Sequence, residues 1–342
     1  MLINYSNLVK IDSNKMFEIY DHWPDIAFES FNKDQIELIH DKFDHIIFVG
    51  MGGSGTIGDI FSAILSKENI HVSVVKGYHL PKTVTPNSLV ILTSISGNTS
   101  ETLSVLKLVK KSNYKMAAFS SGGEMEKYCT KNNLNFYKIP LMHSPRSSLM
   151  NFLYSMLKIL KPIIPIKNHD IKKSLSDLQI TKSKISSLNL SDTNPSLQLA
   201  KWISGIPVIY YPWGLQAAAF RFKNSLQENA KLHSMCEDII ETSHNGIVPW
   251  ERKSIVQPIL LKGKNDHKKT KERWNIVKDY FQEKNTPFFE IESIENNILS
   301  KIVNLIYFTD FTSIYKAILL KQDPSPVKSI DFIKSKFNQK IN

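Results

Sequence analysis

Short β-branched hydrophobic runs alternate with longer amphipathic segments from residue 45 onward. Such alternation is typical of a parallel β-sheet covered by helices. The segments between the runs predict helices, one starting at about Thr56 after a glycine loop and one over SGNTSETLSVLKLVKKSN. The runs HIIFVG, HVSVVKGY, SLVILTSIS, KMAAFSS and NFYKIP predict strands over 45–50, 71–78, 88–96, 115–121 and 135–140. Five strands in this arrangement predict a flavodoxin-like sheet.

The strand and helix pattern is interrupted once and then resumes. Residues 145–204 indicate mostly helix, broken at Pro162, Pro165 and near Pro195. Further strands are predicted at 207–213, 254–264 and 286–293, with helices over 215–231, 271–282 and 297–321. The second half therefore repeats the plan of the first without its glycine loop. We expect a helical N-terminal segment (1–44), a first α/β domain (45–160), a helical connection (161–204) and a second α/β domain with C-terminal helices (205–342).

The basic composition does not indicate a nucleic-acid partner. The chain carries 43 Lys and Arg against 32 Asp and Glu, a formal net charge of +11, but only four of the 43 are arginines. A lysine excess of this kind predicts a solvated surface. Two cysteines without a C-x-x-C pair predict free thiols in a reducing compartment. The N-terminus has no signal-peptide core, and the most hydrophobic stretch, 149–166, contains two lysines, so we expect a cytoplasmic protein without a membrane partner.

A glycine-rich loop, Gly50-Met51-Gly52-Gly53-Ser54-Gly55, lies between the first predicted strand and helix. Free N–H groups and the dipole at a helix start make an anion site. The spacing also matches the G-x-G-x-x-G dinucleotide pattern. That pattern requires an acidic residue at the end of the second strand, where this chain reads VVKGYHLPK. The loop therefore favours an anion other than a nicotinamide dinucleotide.

A second polar loop, Ser94-Ile95-Ser96-Gly97-Asn98-Thr99, follows the third predicted strand. Because the carboxyl ends of adjacent parallel strands face one crevice, the two loops should converge. Hydroxyl and backbone N–H donors with few charges suit a phosphate monoester. The alternative is that these Ser and Thr residues only cap helices. Two such loops at neighbouring strand ends favour the phosphate.

Seven short motifs occur in an order that resembles the sugar isomerase (SIS) family, and more narrowly the archaeal-type bifunctional phosphoglucose/phosphomannose isomerases. They are GMGGSG, SxSGNTxET, SSGG (120–123), PRSS (145–148), QENAK (227–231), SHN (243–245) and DPSPVKSIDFIK (323–334). The resemblance covers most of the chain. It implies two flavodoxin-like SIS domains and an aldose–ketose isomerase that interconverts glucose 6-phosphate, and mannose 6-phosphate, with fructose 6-phosphate. It also implies a homodimer. No His, Cys or Asp cluster in the sequence has ligand spacing, so we expect no cofactor or metal.

The same resemblance assigns roles to individual residues. The phosphate-binding positions fall on Gly53, Ser54, Ser94, Ser96 and Thr99. One departure lies inside this set of loops: the family often has an aromatic residue where this chain has isoleucine at position 95.

The catalytic roles fall on an arginine (Arg146), a base (Glu228), a ring-opening histidine (His244) and a C-terminal lysine (Lys334). Aldose–ketose interconversion needs a base for the carbon-bound proton and a second group to open the sugar ring, which a carboxylate and a histidine can supply. An arginine retained in a lysine-rich chain suggests that its planar, permanently charged group is needed, here for an enediolate. Neighbouring lysines leave the choice of C-terminal lysine open.

Two other functions share this fold. A sugar-phosphate-binding regulator would need a DNA-binding module, and the 44 residues before the first strand show no helix-turn-helix pattern. The isomerase part of a glucosamine-6-phosphate synthase would accompany a domain with an N-terminal cysteine, and this chain begins Met-Leu-Ile-Asn. The sequence leaves open the preference for glucose or mannose, and whether His244 acts within its own subunit.

Overall fold

The structure is a computed structural model that describes residues 3–38 and 42–341. Its first sheet has five parallel strands in the order β2-β1-β3-β4-β5, which is the predicted flavodoxin-like order. The strands are β1 (His45–Val49), β2 (His71–Val75), β3 (Ser88–Ser94), β4 (Lys115–Ser120) and β5 (Phe136–Lys138).

Seven α-helices accompany this sheet in the described part of the first half. They are α1 (Tyr5–Ile11), α2 (Met16–Asp21), α3 (Trp23–Asn32), α4 (Gly52–Leu65), α5 (Ser100–Lys111), α6 (Gly123–Lys131) and α7 (Leu149–Ile159), with a 3-10 turn at Arg146–Ser148 before α7. The predicted start of α4 at about Thr56 is wrong, because the helix already begins inside the glycine loop. A side chain on Gly55 would place its Cβ 2.8 Å from the carbonyl oxygen of Gly50, so glycine lets the strand end and the first helical turn approach closely.

The second half contains a four-stranded parallel sheet with the order β7-β6-β8-β9. Its strands are β6 (Ile206–Tyr211), β7 (Met235–Asp238), β8 (Val256–Lys262) and β9 (Phe289–Glu292). The helices are α8 (Asn168–Ile185), α9 (Pro195–Trp202), α10 (Gln216–Asn229), α11 (Ile239–Thr242), α12 (Lys268–Glu283), α13 (Ile298–Leu319) and α14 (Lys328–Ile341), with a 3-10 turn at Val248–Glu251. Two parallel α/β sheets were predicted, and this prediction is confirmed.

Strand β7 was not predicted. It has four residues, MCED, and lies at the edge of the second sheet, where its side chains are exposed or half-buried. A short edge strand needs no continuous apolar run, so its sequence lacks the pattern that marks the other strands.

One hydrophobic cluster joins the two halves. It contains Phe48 of β1, Ile209 of β6 and Phe311 of α13, so it contacts one face of each sheet. Helix α13 is buried on nearly all sides and packs against α8, α9 and α10. A helix that is apolar all round belongs in the interior, and here it lies in the core shared by both halves. Among the described residues, no helix combines the length and apolar character that crossing a membrane requires.

Candidate active site

The two predicted phosphate loops meet at the carboxyl ends of β1 and β3. The Oγ of Ser54, in the first turn of α4, accepts a hydrogen bond of 3.2 Å from the backbone N–H of Ile95. The Oγ of Ser94 donates to Oγ1 of Thr99 at 3.0 Å, and the Oγ of Ser96 accepts from the N–H of Asn98 at 3.3 Å. The loops therefore form one polar surface.

The helices that begin in these loops are not capped by side chains. Thr99 is the N-cap residue of α5 and Met51 that of α4, and neither side chain accepts a hydrogen bond from its helix. The alternative that Thr99 only caps a helix is therefore wrong. Uncapped N–H groups at two neighbouring helix starts favour binding of an anion.

Arg146 is buried and is held by contacts from two segments of the chain, the end of α10 and residues 324–325. Its Nε donates to Oδ1 of Asn229 at 2.8 Å. Its Nη2 donates to the backbone carbonyls of Pro324 and Ser325, both at 2.7 Å. Its Nη1 lies 3.7 Å from Oε2 of Glu228. The guanidinium is thus fixed in position, with one nitrogen directed at the predicted base.

Glu228 lies at the end of α10, and its side chain keeps 29% of its exposure. The separation of 3.7 Å from Arg146 is an ion pair without a short hydrogen bond. The carboxylate can therefore contact a bound molecule while the arginine stabilises negative charge beside it.

The phosphate loops adjoin this ion pair. A Cβ built on Gly53 would lie 3.9 Å from the Cα of Arg146 and 3.5 Å from Nη1 of Arg221. The structure thus places Gly53 of the first loop beside Arg146, and the hydrogen bond between Ser54 and Ile95 joins the second loop to the first.

Arg221 belongs to this cluster and was not predicted. It is buried on α10 and its Nη2 lies 2.6 Å from Oδ2 of Asp310 in α13. Although burial opposes it, the carboxylate of Asp310 raises the pKa of Arg221. The same Nη2 donates to the backbone carbonyl of Arg146 at 2.8 Å. One signal was available: Arg221 is one of four arginines in a lysine-rich chain and precedes Glu228 on the same helix.

Lys231 is a second residue that the sequence reasoning missed. Its Nζ donates to the backbone carbonyls of Glu228 at 2.7 Å and of Pro324 at 3.2 Å. Burial lowers the pKa of Lys231 to about 8, and the positive charge of Arg146 contributes to the shift. Lys231 thus connects the segment of the predicted base to the segment that holds Arg146.

His244 and Lys334 are not brought to the cluster within one chain. His244 lies in the turn after α11 and is exposed, and Lys334 is exposed on α14. Neither side chain forms a hydrogen bond or ion pair with another described residue. Both roles stay predictions. In the described ranges, no group of three His, Cys, Asp or Glu side chains is placed to hold a metal ion.

Comparison with protein families identifies the fold. Residues 38–160 match the SIS domain, and residues 192–337 match the bacterial phospho-glucose isomerase C-terminal SIS domain. The C-terminal domain of glucosamine-fructose-6-phosphate aminotransferase from Francisella tularensis has a similar fold, with a TM-score of 0.66 and 18% identity over 90% of this chain and 96% of that one. The chain is a sugar isomerase by fold, with two SIS domains.

Similar sequences define the family more narrowly. The bifunctional phosphoglucose/phosphomannose isomerase of Caldicellulosiruptor bescii is 30% identical over 91% of this chain and 94% of the relative. Its counterpart in Aquifex aeolicus is 29% identical over 86% of this chain and 90% of the relative. The chain belongs to the bifunctional phosphoglucose/phosphomannose isomerase family.

Proposed function

We propose that the protein is an aldose–ketose isomerase that interconverts glucose 6-phosphate and mannose 6-phosphate with fructose 6-phosphate. The observation that carries this proposal is the pair of Arg146 and Glu228, 3.7 Å apart and adjacent to two loops built for a phosphate. A phosphate held at one end of a hexose places the carbons at the other end near a base and a cation.

The two loops hold the phosphate through Gly53, Ser54, Ser94, Ser96 and Thr99. Hydroxyl and backbone donors at uncapped helix starts favour its negative charge. This contact also orients the sugar. The phosphate takes no part in the reaction, and its binding energy positions the reacting carbons C1 and C2.

Glu228 then takes the proton from C2 of the open-chain aldose, and the aldehyde oxygen O1 becomes the enediolate oxygen. Arg146 stabilises this negative charge. Glu228 returns the proton to C1 while the hydroxyl proton of O2 moves to O1, which leaves the ketose. Glucose and mannose 6-phosphates differ only at C2, so both give the same enediolate, which supports activity on both sugars at one site.

His244 opens the sugar ring by moving a proton between the ring oxygen and O1, and it acts from a second copy of the chain in a homodimer. The support is its exposed position in the turn after α11. Lys334 is exposed in the same way, and we assign it to the same composite site. Because phosphorylated sugars are charged and stay in the compartment that makes them, we place the enzyme in the cytoplasm.

Coupled assays with glucose, mannose and fructose 6-phosphates test the reaction. We expect activity on all three and its loss in Glu228→Gln. Absence of isomerisation with every one of the three would overturn the proposal and favour a regulator that only binds the sugar.

Coexpression of two inactive variants tests the composite site. If His244 acts across the interface, a mixture of His244→Ala and Glu228→Gln chains contains heterodimers with one intact site, and about a quarter of wild-type activity returns by random pairing. Activity no higher than that of the separate variants would place His244 within its own subunit.

A further inference from the structure

A second cleft lies at the carboxyl edge of the second sheet. It has a volume of ≈ 720 Å³ and is lined by the segments that follow β6, β8 and β9, together with the end of α4. In open α/β sheets, ligands bind outside the carboxyl ends of the strands, at the point where the strand order reverses. In the first sheet this point, between β1 and β3, holds the proposed phosphate loops; in the second it lies between β6 and β8. None of the nine residues assigned to the catalytic site lines this cleft.

Three lysines line the cleft, Lys67, Lys167 and Lys301. None of their ammonium groups forms an ion pair or hydrogen bond with another residue in the described ranges. Burial lowers the pKa of Lys301, and the nearby Lys67 ammonium lowers it further, against the opposing effect of Asp266. Two like charges that share a cleft without a bonded counter-charge favour an anion between them.

Four long helices also begin at this cleft. The N-cap residues of α8, α10, α12 and α13 are Lys167, Leu215, His267 and Asn297, and all four line it. Each helix contributes positive potential at its start. The lysines and the helix starts thus add positive potential to a space that the carboxylates of Glu68, Asp170 and Asp266 also line.

The cleft also has groups suited to a sugar. Trp213 lines it with 69% of its surface exposed, so its ring offers a flat apolar face. The carboxylates of Glu68 and Asp170 line the same cleft and can accept hydrogen bonds from sugar hydroxyls. A third carboxylate, Asp266, already accepts from the N–H of Gly263 at 3.0 Å and from Nε1 of Trp274 at 2.9 Å.

We propose that this cleft is a second binding site, which takes a phosphorylated sugar. The lysines and helix starts hold the phosphate, the carboxylates accept from the hydroxyls, and Trp213 packs against the sugar face. Helix α4 begins in the catalytic phosphate loop and ends at this cleft, and its 14 residues span about 21 Å at 1.5 Å per residue. One hexose phosphate therefore cannot occupy both places.

Equilibrium dialysis counts the sites. The probe is the radiolabelled equilibrium mixture of glucose and fructose 6-phosphates, so that catalysis during the measurement does not change its composition. We expect two molecules per chain for the wild type and one for Lys67→Met/Lys301→Met. Ser96→Ala/Thr99→Ala, which weakens the catalytic site, should also bind one. Lys110→Met, an exposed lysine on α5, is the matched control and should bind two.

Tryptophan fluorescence separates the two sites further. The probe should change the emission of the Ser96→Ala/Thr99→Ala protein, and Trp213→Phe in that background should remove the change. Lys67→Met/Lys301→Met should raise the probe concentration that gives half of the fluorescence change at least 10-fold. The same variant should leave isomerase kcat unchanged.

One molecule per chain in the wild type, or unchanged binding in Lys67→Met/Lys301→Met, would overturn the proposal. Inorganic phosphate that binds the cleft as tightly as the sugar phosphate would overturn the assignment of a sugar. If Lys67→Met/Lys301→Met loses one bound molecule and Ser96→Ala/Thr99→Ala loses none, the result counts instead against the catalytic phosphate loops. The two proposals therefore fail separately.

Discussion

The Nη2 group of Arg221 donates a hydrogen bond of 2.8 Å to the backbone carbonyl oxygen of Arg146. Arg221 is held in turn by Asp310, whose Oδ1 also accepts from Ser225 at 2.5 Å. Helices α10 and α13 of the second half therefore fix the backbone of an arginine that the first half contributes. The geometry of the proposed active site depends on this buried ion pair.

Breaking the buried pair should destabilise the protein. Arg221→Met leaves the Asp310 carboxylate buried without its partner, and we expect a loss of about 3–5 kcal/mol in the free energy of unfolding, measured with urea. The double variant Arg221→Met/Asp310→Leu should recover much of that loss, because no charge stays buried. It should nevertheless have low kcat, since the backbone of Arg146 is no longer held. Wild-type kcat in a folded double variant would show that the pair serves stability alone.

Removing two hydroxyls of the phosphate loops should weaken substrate binding. Each hydrogen bond to a charged group contributes about 1.5–3 kcal/mol, so Ser96→Ala/Thr99→Ala should raise KM at least 10-fold in steady-state assays. Ser104→Ala is the matched control, because the Oγ of Ser104 contacts only its own helix, at the carbonyl of Ser100. Unchanged KM in a folded double variant would remove the loops from the site.

Glu228→Gln keeps the shape of the side chain and removes the base. We expect kcat to fall by about 10² or more while the substrate still binds. Exposed Glu283→Gln on α12 serves as the control. Exchange of the C2 proton with solvent, followed by NMR in deuterated water, should stop in Glu228→Gln. Continued exchange in that variant would contradict the role of Glu228.

His244→Ala should separate ring opening from proton transfer at carbon. Isomerisation of the cyclic sugar phosphate should collapse, while an open-chain analogue should react nearly as fast as with the wild type. An imidazole ring can both give and take a proton, because it has one donor and one acceptor nitrogen. Equal losses on both substrates would assign His244 to proton transfer at carbon or to positioning. No loss on either would leave it a surface histidine.

Lys231 should make activity sensitive to alkaline pH. The pKa of Lys231 is lowered to about 8, so its ammonium loses a proton as the pH rises through that value. The neutral amine has two N–H donors for the three backbone carbonyls it contacts, those of Glu228, Asn229 and Pro324. We therefore expect kcat/KM of the wild type to fall above about pH 8.

Lys231→Arg provides the matched comparison, since a guanidinium stays charged throughout this range. The decline above about pH 8 should be absent in this variant and present in the control Lys110→Arg. If kcat/KM of Lys231→Arg declines in the same way, the decline is caused by a group other than Lys231.

The local pattern of the sequence was sufficient for much of the fold and for part of the site. Apolar runs predicted all five strands of the first sheet. The continuous runs of β1, β3 and β4 follow from their burial, and the half-buried edge strands β2 and β5 were marked by their β-branched and aromatic residues. The meeting of Ser54 with the loop after β3 followed from the rule that parallel strands end at one edge. The contact of Arg146 with Glu228 could not be derived this way, since it joins residues far apart in sequence through packing between the two halves.

Other features carried too little local signal. Strand β7 is short and polar because it lies at a sheet edge. Arg221 is notable in sequence only as one of four arginines, and its burial and its bond to Asp310 on α13 depend on packing between helices. The position of Lys231 beside Glu228 depends on the chain turn after α10, where Lys231 adopts φ +57°.

The central place of α13 also constrains how the polypeptide reaches its native state during synthesis. Both sheets and the helices that contact their strands, α4 and α10, precede α13 in the chain, and α13 then packs against α4, α8, α9 and α10 in the shared core. Until residues 298–319 have emerged from the ribosome, the faces of these helices that α13 covers stay open to solvent. Nascent chains at that stage depend on chaperones or fast completion to avoid aggregation, because exposed hydrophobic surface in partly folded chains promotes association.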